Sequence, residues 1–392
     1  MIMNKRLQNT ILLLASTVLL CTSCLRSDEP PVRREIAVEK LLKKEHRIKI
    51  AIASPWGQKR NYLKEGLQLA CEELNEQGGV LGAKIELLAF DDNNNRATGS
   101  RVAYQIADDE EIAAVIGHSS SSVSMSNSLI YHYYGLLMFS PLSTSKNLTH
   151  YGLPYVFRNI PSDDEFGIQA ASFCEKSSWK RVMIYYINNS YGESLANAFE
   201  LQCGGSGISV LDRVSFENVY GVRDYLETIK NWKDNYIFDA IFIAGSLPQV
   251  GEIVSIFRAN GITQPIIGGD AFDMPIFFKI ADNIKEDQVY AISNYDTNNS
   301  SPVFESFKNA FYNRYGFECD QAAYQGYDAL MVLGKAIEKA GSVRKEDIAK
   351  ALRETPLWEE VAGPYKFDEY GNIIGHKLVV KKTSGGEFKV VE

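Results

Sequence analysis

Histidine, cysteine and tryptophan are scarce in this 392-residue chain, at 5, 6 and 4 residues. Each scarcity removes a chemistry. His46, His118, His132, His150 and His376 fall at no metal-ligand spacing, and past residue 24 the cysteines (Cys71, Cys174, Cys203, Cys319) form no CxxC pair. GxGxxG, GxxxxGK[ST], HExxH and GxSxG are all missing, so no nucleotide loop, zinc protease helix or nucleophile elbow is indicated. Gly78-Gly79 closes a helix rather than opening one, which makes it a turn and not a phosphate cradle. Basic clusters are absent apart from Lys40–Arg47, and the formal net charge is −8, which argues against a nucleic-acid partner. No internal sequence repeat is visible.

What is present is a globular composition, 45% hydrophobic and 23% charged, in a chain long enough for two domains. Lys5 and Arg6 precede an apolar run, Ile11–Cys21, that is short for a bilayer span and has the layout of a secretory signal. The alternative is an uncleaved membrane helix. Leu20-Cys21-Thr22-Ser23-Cys24 resembles a bacterial lipobox, with Cys21 where leucine is usual. That resemblance implies cleavage before Cys24 and a lipid on its thiol. Ser27–Lys44, with Pro30 and Pro31 and a short amphipathic piece at Ile36–Leu42, reads as a semi-flexible spacer. Cys174 and Cys203 could bridge; four buried free thiols is the expected state.

From Arg47 the pattern alternates strand and helix. Strands are expected at Arg47–Ala53, Lys84–Phe90, Ala113–Gly117, Leu136–Ser140 and Tyr155–Arg158, with amphipathic helices between them. A second set follows, with strands at Arg181–Ile187, Ile208–Val214, Phe238–Ala244, Pro265–Gly268 and Val289–Ser293. This is the signature of α/β, doubly wound parallel sheets in two similar lobes. Long helices at Ser301–Tyr315 and Gln321–Ala340, a shorter one at Lys345–Glu354, and short strands at Tyr365–Phe367 and His376–Lys382 have no sheet of their own. They must return to lobes already built.

Ligands of open parallel sheets bind beyond the carboxyl ends of the strands. Two such ends carry polar loops here: Ser119–Ser122 after the third strand, and Ser140–Thr144 after the fourth. Hydroxyls and free amides at one sheet edge suit a small ligand with a carboxylate. Asp270 follows two glycines after a short strand of the second lobe; it either caps a helix near Asp273 or receives a ligand cation. Together these groups would hold an α-amino acid. His118 is either a ligand contact or a locally satisfied strand-end histidine, and Asp91-Asp92 reads as a turn capping the next helix rather than a metal site. Tyr191 and Trp56 are either packed aromatics or rings lying over a ligand. Asp163 reads as a helix N-cap or hinge residue.

Several segments together resemble one family. They are Gly66–Gly82 (GLQLACEELNEQGGVLG), Asp91-Asp92, VIGHSSS at Val115–Ser121, and FSPLST at Phe139–Thr144. Phe157-Arg158, PSDDEFG at Pro161–Gly167, Tyr191-Gly192, and GPYKFDEYG at Gly363–Gly371 continue the series. The chain resembles the type I periplasmic solute-binding proteins, in particular the leucine/isoleucine/valine-binding proteins of ABC transporters, in a lipoprotein form. The resemblance implies two lobes joined by three crossover segments and closing by hinge motion. Its expected divisions are a signal peptide at 1–23, a lipidated N-terminus and tether at 24–45, and the lobes at 46–160 plus 294–362 and 161–293 plus 363–392. It implies that Ser121 donates to the ligand carboxylate, that Leu142 and Thr144 supply backbone groups, and that Asp270 pairs with the α-ammonium. Tyr191, Asp163, Ser246 and Trp56 are implied to line the cleft. Leu142 stands in place of a smaller residue, Asp270 in place of a longer acid, and Ser246 where an aromatic ring is frequent. The implied partners are a small-molecule ligand, an ABC permease and, through the lipid, a membrane, with a monomeric protein needing no cofactor or metal. The rival readings are a ligand-sensing receptor lobe, a binder of a short amide or small carboxylate, and a serine hydrolase lacking a placed histidine–carboxylate pair.

Overall fold

The computed structural model describes residues 29–57, 61–217, 222–281, 284 and 287–392. The expected signal peptide and Cys24 lie outside these residues. The first lobe is built on a five-stranded sheet of order β2-β1-β3-β4-β5. Its strands are β1 (Arg47–Ser54), β2 (Lys84–Asp91), β3 (Ile112–Gly117), β4 (Leu137–Ser140) and β5 (Val156–Arg158), all parallel. Strands β1, β3 and β4 are almost wholly buried and read as continuous apolar runs, as a sheet covered on both faces requires.

Helices α2 (Leu63–Glu76), α3 (Arg96–Asp108) and α4 (Ser121–Tyr133) connect these strands, and the four-residue α5 (Asn147–His150) follows β4. The second lobe runs α6 (Asp163–Lys176), β6 (Arg181–Ile187), α7 (Ser190–Gly205), β7 (Ser209–Phe216), α8 (Val222–Asn235) and β8 (Ala240–Ala244). It continues with α9 (Gln249–Ala259), β9 (Ile266–Gly268), α10 (Phe277–Ile280) and β10 (Val289–Ser293).

The returning tail settles where its apolar faces find cover. α11 (Pro302–Tyr315), α12 (Gln321–Ala340) and α13 (Lys345–Glu354) join α2 in one core on the first sheet, while α3 and α4 cover its other face. Buried along most of its length, α12 packs so closely on α2 that Gly66 and Gly326 leave no room for a Cβ between the helices. The strands β11 (Trp358–Glu360), β12 (Gly363–Phe367) and β13 (Ile373–Ile374) form a small antiparallel sheet absent from the sequence reading. Tyr365, Phe367 and Ile373 insert into the first core. The chain therefore crosses back after Ile374, and Gly363–Ile374 packs with the first lobe rather than the second. β14 (Val379–Ser384) and β15 (Glu387–Val390) then extend the second sheet, order β15-β14-β10-β9-β8-β6-β7, adding one antiparallel edge to an otherwise parallel sheet. A buried ion pair anchors that edge, Lys381 Nζ to Asp273 Oδ2 at 2.6 Å, with Ser293 Oγ donating to the same oxygen.

The segment expected to be a spacer is instead a 16-residue helix, α1 (Pro30–Glu45), docked on the first lobe. Val38 and Leu41 are buried, and so is the charged Arg34, at 3% exposure. The Arg34 guanidinium donates to the carbonyls of Tyr134, Asp109, Ile112 and Ala107. Burial lowers its pKa to about 10 against the pull of Glu110 and Asp109. Charge-dense composition suggested solvent, but four backbone carbonyls around the guanidinium give that charge buried acceptors. Cys71, Cys174, Cys203 and Cys319 are free thiols, the first and last only half-buried.

Arg34→Ala removes four hydrogen bonds between α1 and the first lobe, so it should cost about 2–4 kcal/mol or release α1. Urea denaturation and limited proteolysis within 30–45 measure the two outcomes.

Candidate functional site

Between the sheet edges lies a cleft of about 810 Å³, lined by Ser119–Ser122 and Leu142 from the first lobe and by Tyr191, Ser246, Asp270 and Met274 from the second. Trp56 also lines it, half-buried, with its indole Nε1 buried and without a hydrogen-bond partner. The volume lies within the range of small-molecule sites.

On the first-lobe side, β3 ends at Gly117 and α4 opens with Ser120 as N-cap, its hydroxyl accepting from Val123 N. Ser121 follows at the first helical position, 2% exposed, its Oγ accepting from Ser145 N at 3.1 Å. The helix thereby presents its positive end and unbonded amides to the cleft. The second polar loop is held from below by Arg158, which is fully buried. Its Nη1 donates to the carbonyls of Thr144 (2.8 Å) and Ser145 (2.7 Å), and its Nε to Asn372 Oδ1 (2.7 Å). Thr144 O also accepts from Asp163 N at 2.8 Å, which ties the loop to the first lobe crossing.

His118 does not reach the cleft. At 0% exposure, its Nδ1 meets Asp92 Oδ2 at 2.6 Å and its Nε2 meets Tyr131 Oη at 2.9 Å and Asn127 Nδ2 at 3.1 Å. Its carbonyl accepts from the hydroxyls of Ser124, Ser140 and Ser143. It is a buried post under both serine loops. Asp92 is spent on His118 and on Asn94 N, while Asn95, not the acidic pair, caps α3. Among the described residues, no group of three or more His, Cys, Asp or Glu could hold a metal ion.

Asp270 stands across the cleft at 7% exposure and opens a single 3-10 turn instead of capping a helix at Asp273. Tyr191 Oη donates to its Oδ1 at 2.8 Å, and the Ala271 N–H lies on the same carboxylate. Burial pushes the Asp270 carboxyl up to about 6 in spite of these donors. Asp163 is not the N-cap of α6; Ser162 is, in a capping box with Glu165. Placed one residue further on, Asp163 is fully buried, behind the residues that line the cleft. Hydroxyls of Thr144 and Ser194, one from each lobe, lie beside it, though neither of its oxygens meets a donor at good geometry. Burial, with Asp270 nearby, pushes it up to about 7. Two buried carboxylates near one another, one of them lining the cleft, favour a cation beside them.

The lobes touch beside the cleft. Ser190 N donates to Ser122 Oγ, Arg96 Nη2 to Ser190 Oγ, and Lys146 N to Ser194 Oγ. Ser121, Leu142, Tyr191, Ser246, Asp270 and Trp56 thus line one cavity, whereas Thr144 and Asp163 are fully buried and are not among its lining residues; Cys24 lies outside the described residues. Arg158 had no role in the sequence reading. Its signal was weak: an arginine ending an apolar strand, where a surface charge is the ordinary expectation.

An apolar two-lobe scaffold with an anion-accepting loop pair on one side and a buried carboxylate on the other defines a solute-binding protein of the hinged, two-lobe class. Residues 58–387 match the family described as Periplasmic binding protein, and the chain belongs to that family. It is similar to the Leu/Ile/Val-binding protein BraC3 of Rhizobium johnstonii, 27% identical over 332 residues covering 84% of this chain and 89% of the relative. The leucine-specific-binding protein of Salmonella typhimurium is 28% identical, covering 84% and 88% of the two chains. Among solved structures, an ABC transporter substrate-binding protein of Desulfitobacterium hafniense in complex with Leu superposes with a TM-score of 0.78. It is 36% identical, covering 88% of this chain and 100% of that one. The leucine-binding protein LivK of Thermotoga maritima gives 0.80 at 28% identity, covering 88% and 98%. Proteins of this family work outside the cytoplasmic membrane, and among the described residues no helix is long and apolar enough to cross one.

A carboxyl raised by burial in the folded state is protonated there while the unfolded chain has released its proton, so stability falls as pH rises from about 4 to 7. Asp270→Asn should therefore raise the melting temperature of the unliganded protein at pH 8, by about 2–3 kcal/mol in stability. Below about pH 4, where both states are protonated, the gain should vanish. Calorimetry across that range checks it.

Proposed function

We propose that this chain is the extracytoplasmic substrate-binding component of an ABC transporter, carrying an α-amino acid in the interlobe cleft and presenting it to a membrane permease. The observation that carries this reading is the placement of Asp270, with Tyr191 on its carboxylate, opposite the Ser121 and Thr144 loops. The ligand carboxylate lies against the α4 N-terminus and takes the Ser121 hydroxyl and the loop amides. Its ammonium takes Asp270, which ionises when a cation arrives, and Asp163 deepens the negative potential at the base. Leu142, Trp56, Tyr191 and Ser246 border the side chain. Each lobe supplies one half of the zwitterion site, so full contact is made only when both close on the ligand.

No chemistry is done on the ligand. The His118–Asp92 pair is sealed beneath the loops, with both ring nitrogens engaged, and so activates no cleft serine. The N-terminal residues 1–23 are a signal peptide, and Cys24 carries the lipid that holds a monomeric protein at the membrane. The similarity to Leu- and Leu/Ile/Val-binding proteins supports an amino-acid ligand.

Titration calorimetry with an amino-acid panel tests the reading; silence to every amino acid would sink it. Asp270→Asn should weaken zwitterion binding by at least about thirtyfold while sparing a ligand without an ammonium. Because the proton competes for the same oxygens, affinity of the native protein should fall by about tenfold per pH unit below pH 6. A flat pH profile would remove Asp270 from the ammonium site.

A further inference from the structure

Three tyrosines gather on the outside of the first lobe: Tyr134 is half-buried against the core beneath α3 and α4, and two others stand exposed around it. Tyr104 on α3 is 50% exposed and Tyr133 at the end of α4 is 66% exposed. The rings form a chain, Tyr104 edge-on to Tyr134 at 6.3 Å and Tyr134 edge-on to Tyr133 at 5.1 Å. Leu129, one helical turn before Tyr133, adds a side chain 57% exposed. Arg101, one turn before Tyr104, is exposed and has no carboxylate partner among the described residues, its guanidinium reaching only the Thr98 hydroxyl.

This patch sits where the N-terminal helix begins. Arg34 Nε donates to Tyr134 O at 2.9 Å, and Pro31 packs on Gly135 so tightly that an added Cβ would lie 2.7 Å from it. The four backbone bonds of Arg34 hold α1 in place, so its first residue stays beside the tyrosines. Only Leu25–Glu29 separate Cys24 from Pro30, a reach of at most about 20 Å when fully extended. A lipid on Cys24 would keep the patch within that distance of the bilayer. A tyrosine offers the pairing a head-group layer selects: an apolar ring with a polar tip, here with a free cation beside it.

We infer that the Tyr104–Tyr133–Tyr134 patch docks the first lobe on the phospholipid head-group layer, so that the tether sets an orientation as well as a distance. The inference rests on the lipid-anchor reading of Cys24. The second lobe carries none of the patch and stays free to swing on the hinge.

Hydroxyl-radical footprinting of the processed full-length protein tests this, in solution and on vesicles of phosphatidylcholine with phosphatidylglycerol. Oxidation of Tyr104 and Tyr133 should slow several-fold on vesicles. Tyr312, half exposed on α11 over the opposite face of the sheet, should oxidise at its solution rate. Vesicle-bound protein whose Tyr104 and Tyr133 oxidise as in solution would overturn the docking and leave the anchor standing. Protection that requires added permease would also overturn it, as the patch would then be a protein contact. A mature N-terminus without lipid by mass spectrometry, with no vesicle binding, would instead overturn the anchor and the docking with it.

Discussion

One buried guanidinium sets the cleft. Arg158 lies at the end of β5 with no solvent exposure and spends its donors on Thr144, Ser145, Thr149 and Asn372. It joins three stretches distant in sequence: the second polar loop, the strand leading to the first crossing, and the returning tail. Burial lowers its pKa to about 10, while Asp163 and Glu165 pull the other way. A buried charge is tolerated only when its hydrogen bonds are met. Here they are met by loop carbonyls, the Thr149 hydroxyl and the Asn372 amide oxygen, so the charge and the loop stabilise each other.

The opposite wall shows the complementary condition. Asp163 is buried with neither oxygen meeting a donor at good geometry and Asp270 is buried in spite of its donors, and burial pushes both up toward neutrality. Such carboxylates cost stability in the empty protein and recover it when a cation enters. On the function proposed above, the two walls would meet a zwitterion in different ways, one by surplus amides and hydroxyls and the other by surplus negative charge. A shared hinge lets them meet around a solute.

The lobes themselves were readable from pattern. Apolar strands of three to eight residues alternating with amphipathic helices leave little choice but covered parallel sheets, and most elements fall within a residue or two of where periodicity puts them. The polar loops after β3 and β4 could also be found, because small hydroxyl residues after a buried strand end have few structural reasons to be there. The departures share a cause. α1, expected as a spacer, docks because Arg34 finds carbonyls contributed by residues some 70 to 100 positions away. The small sheet at 358–374 forms from strands of two to five residues, too short to carry a period, whose apolar members enter a core built much earlier in the chain.

Local sequence decided strand, helix and turn, and with them the fold class and the sheet edge at which a ligand would bind, since these follow from spacing along a few consecutive residues. The assignment of side chains to work or to support was decided only in three dimensions. His118 could have been a ligand contact or a locally satisfied histidine and is the second, a sealed post; Arg158 looked like an ordinary strand end and holds the second polar loop; Asp163, a cap, hinge or cleft residue on the sequence, is a fully buried acid behind the cleft lining. Each outcome depends on burial and on partners far along the chain, quantities that no local pattern contains.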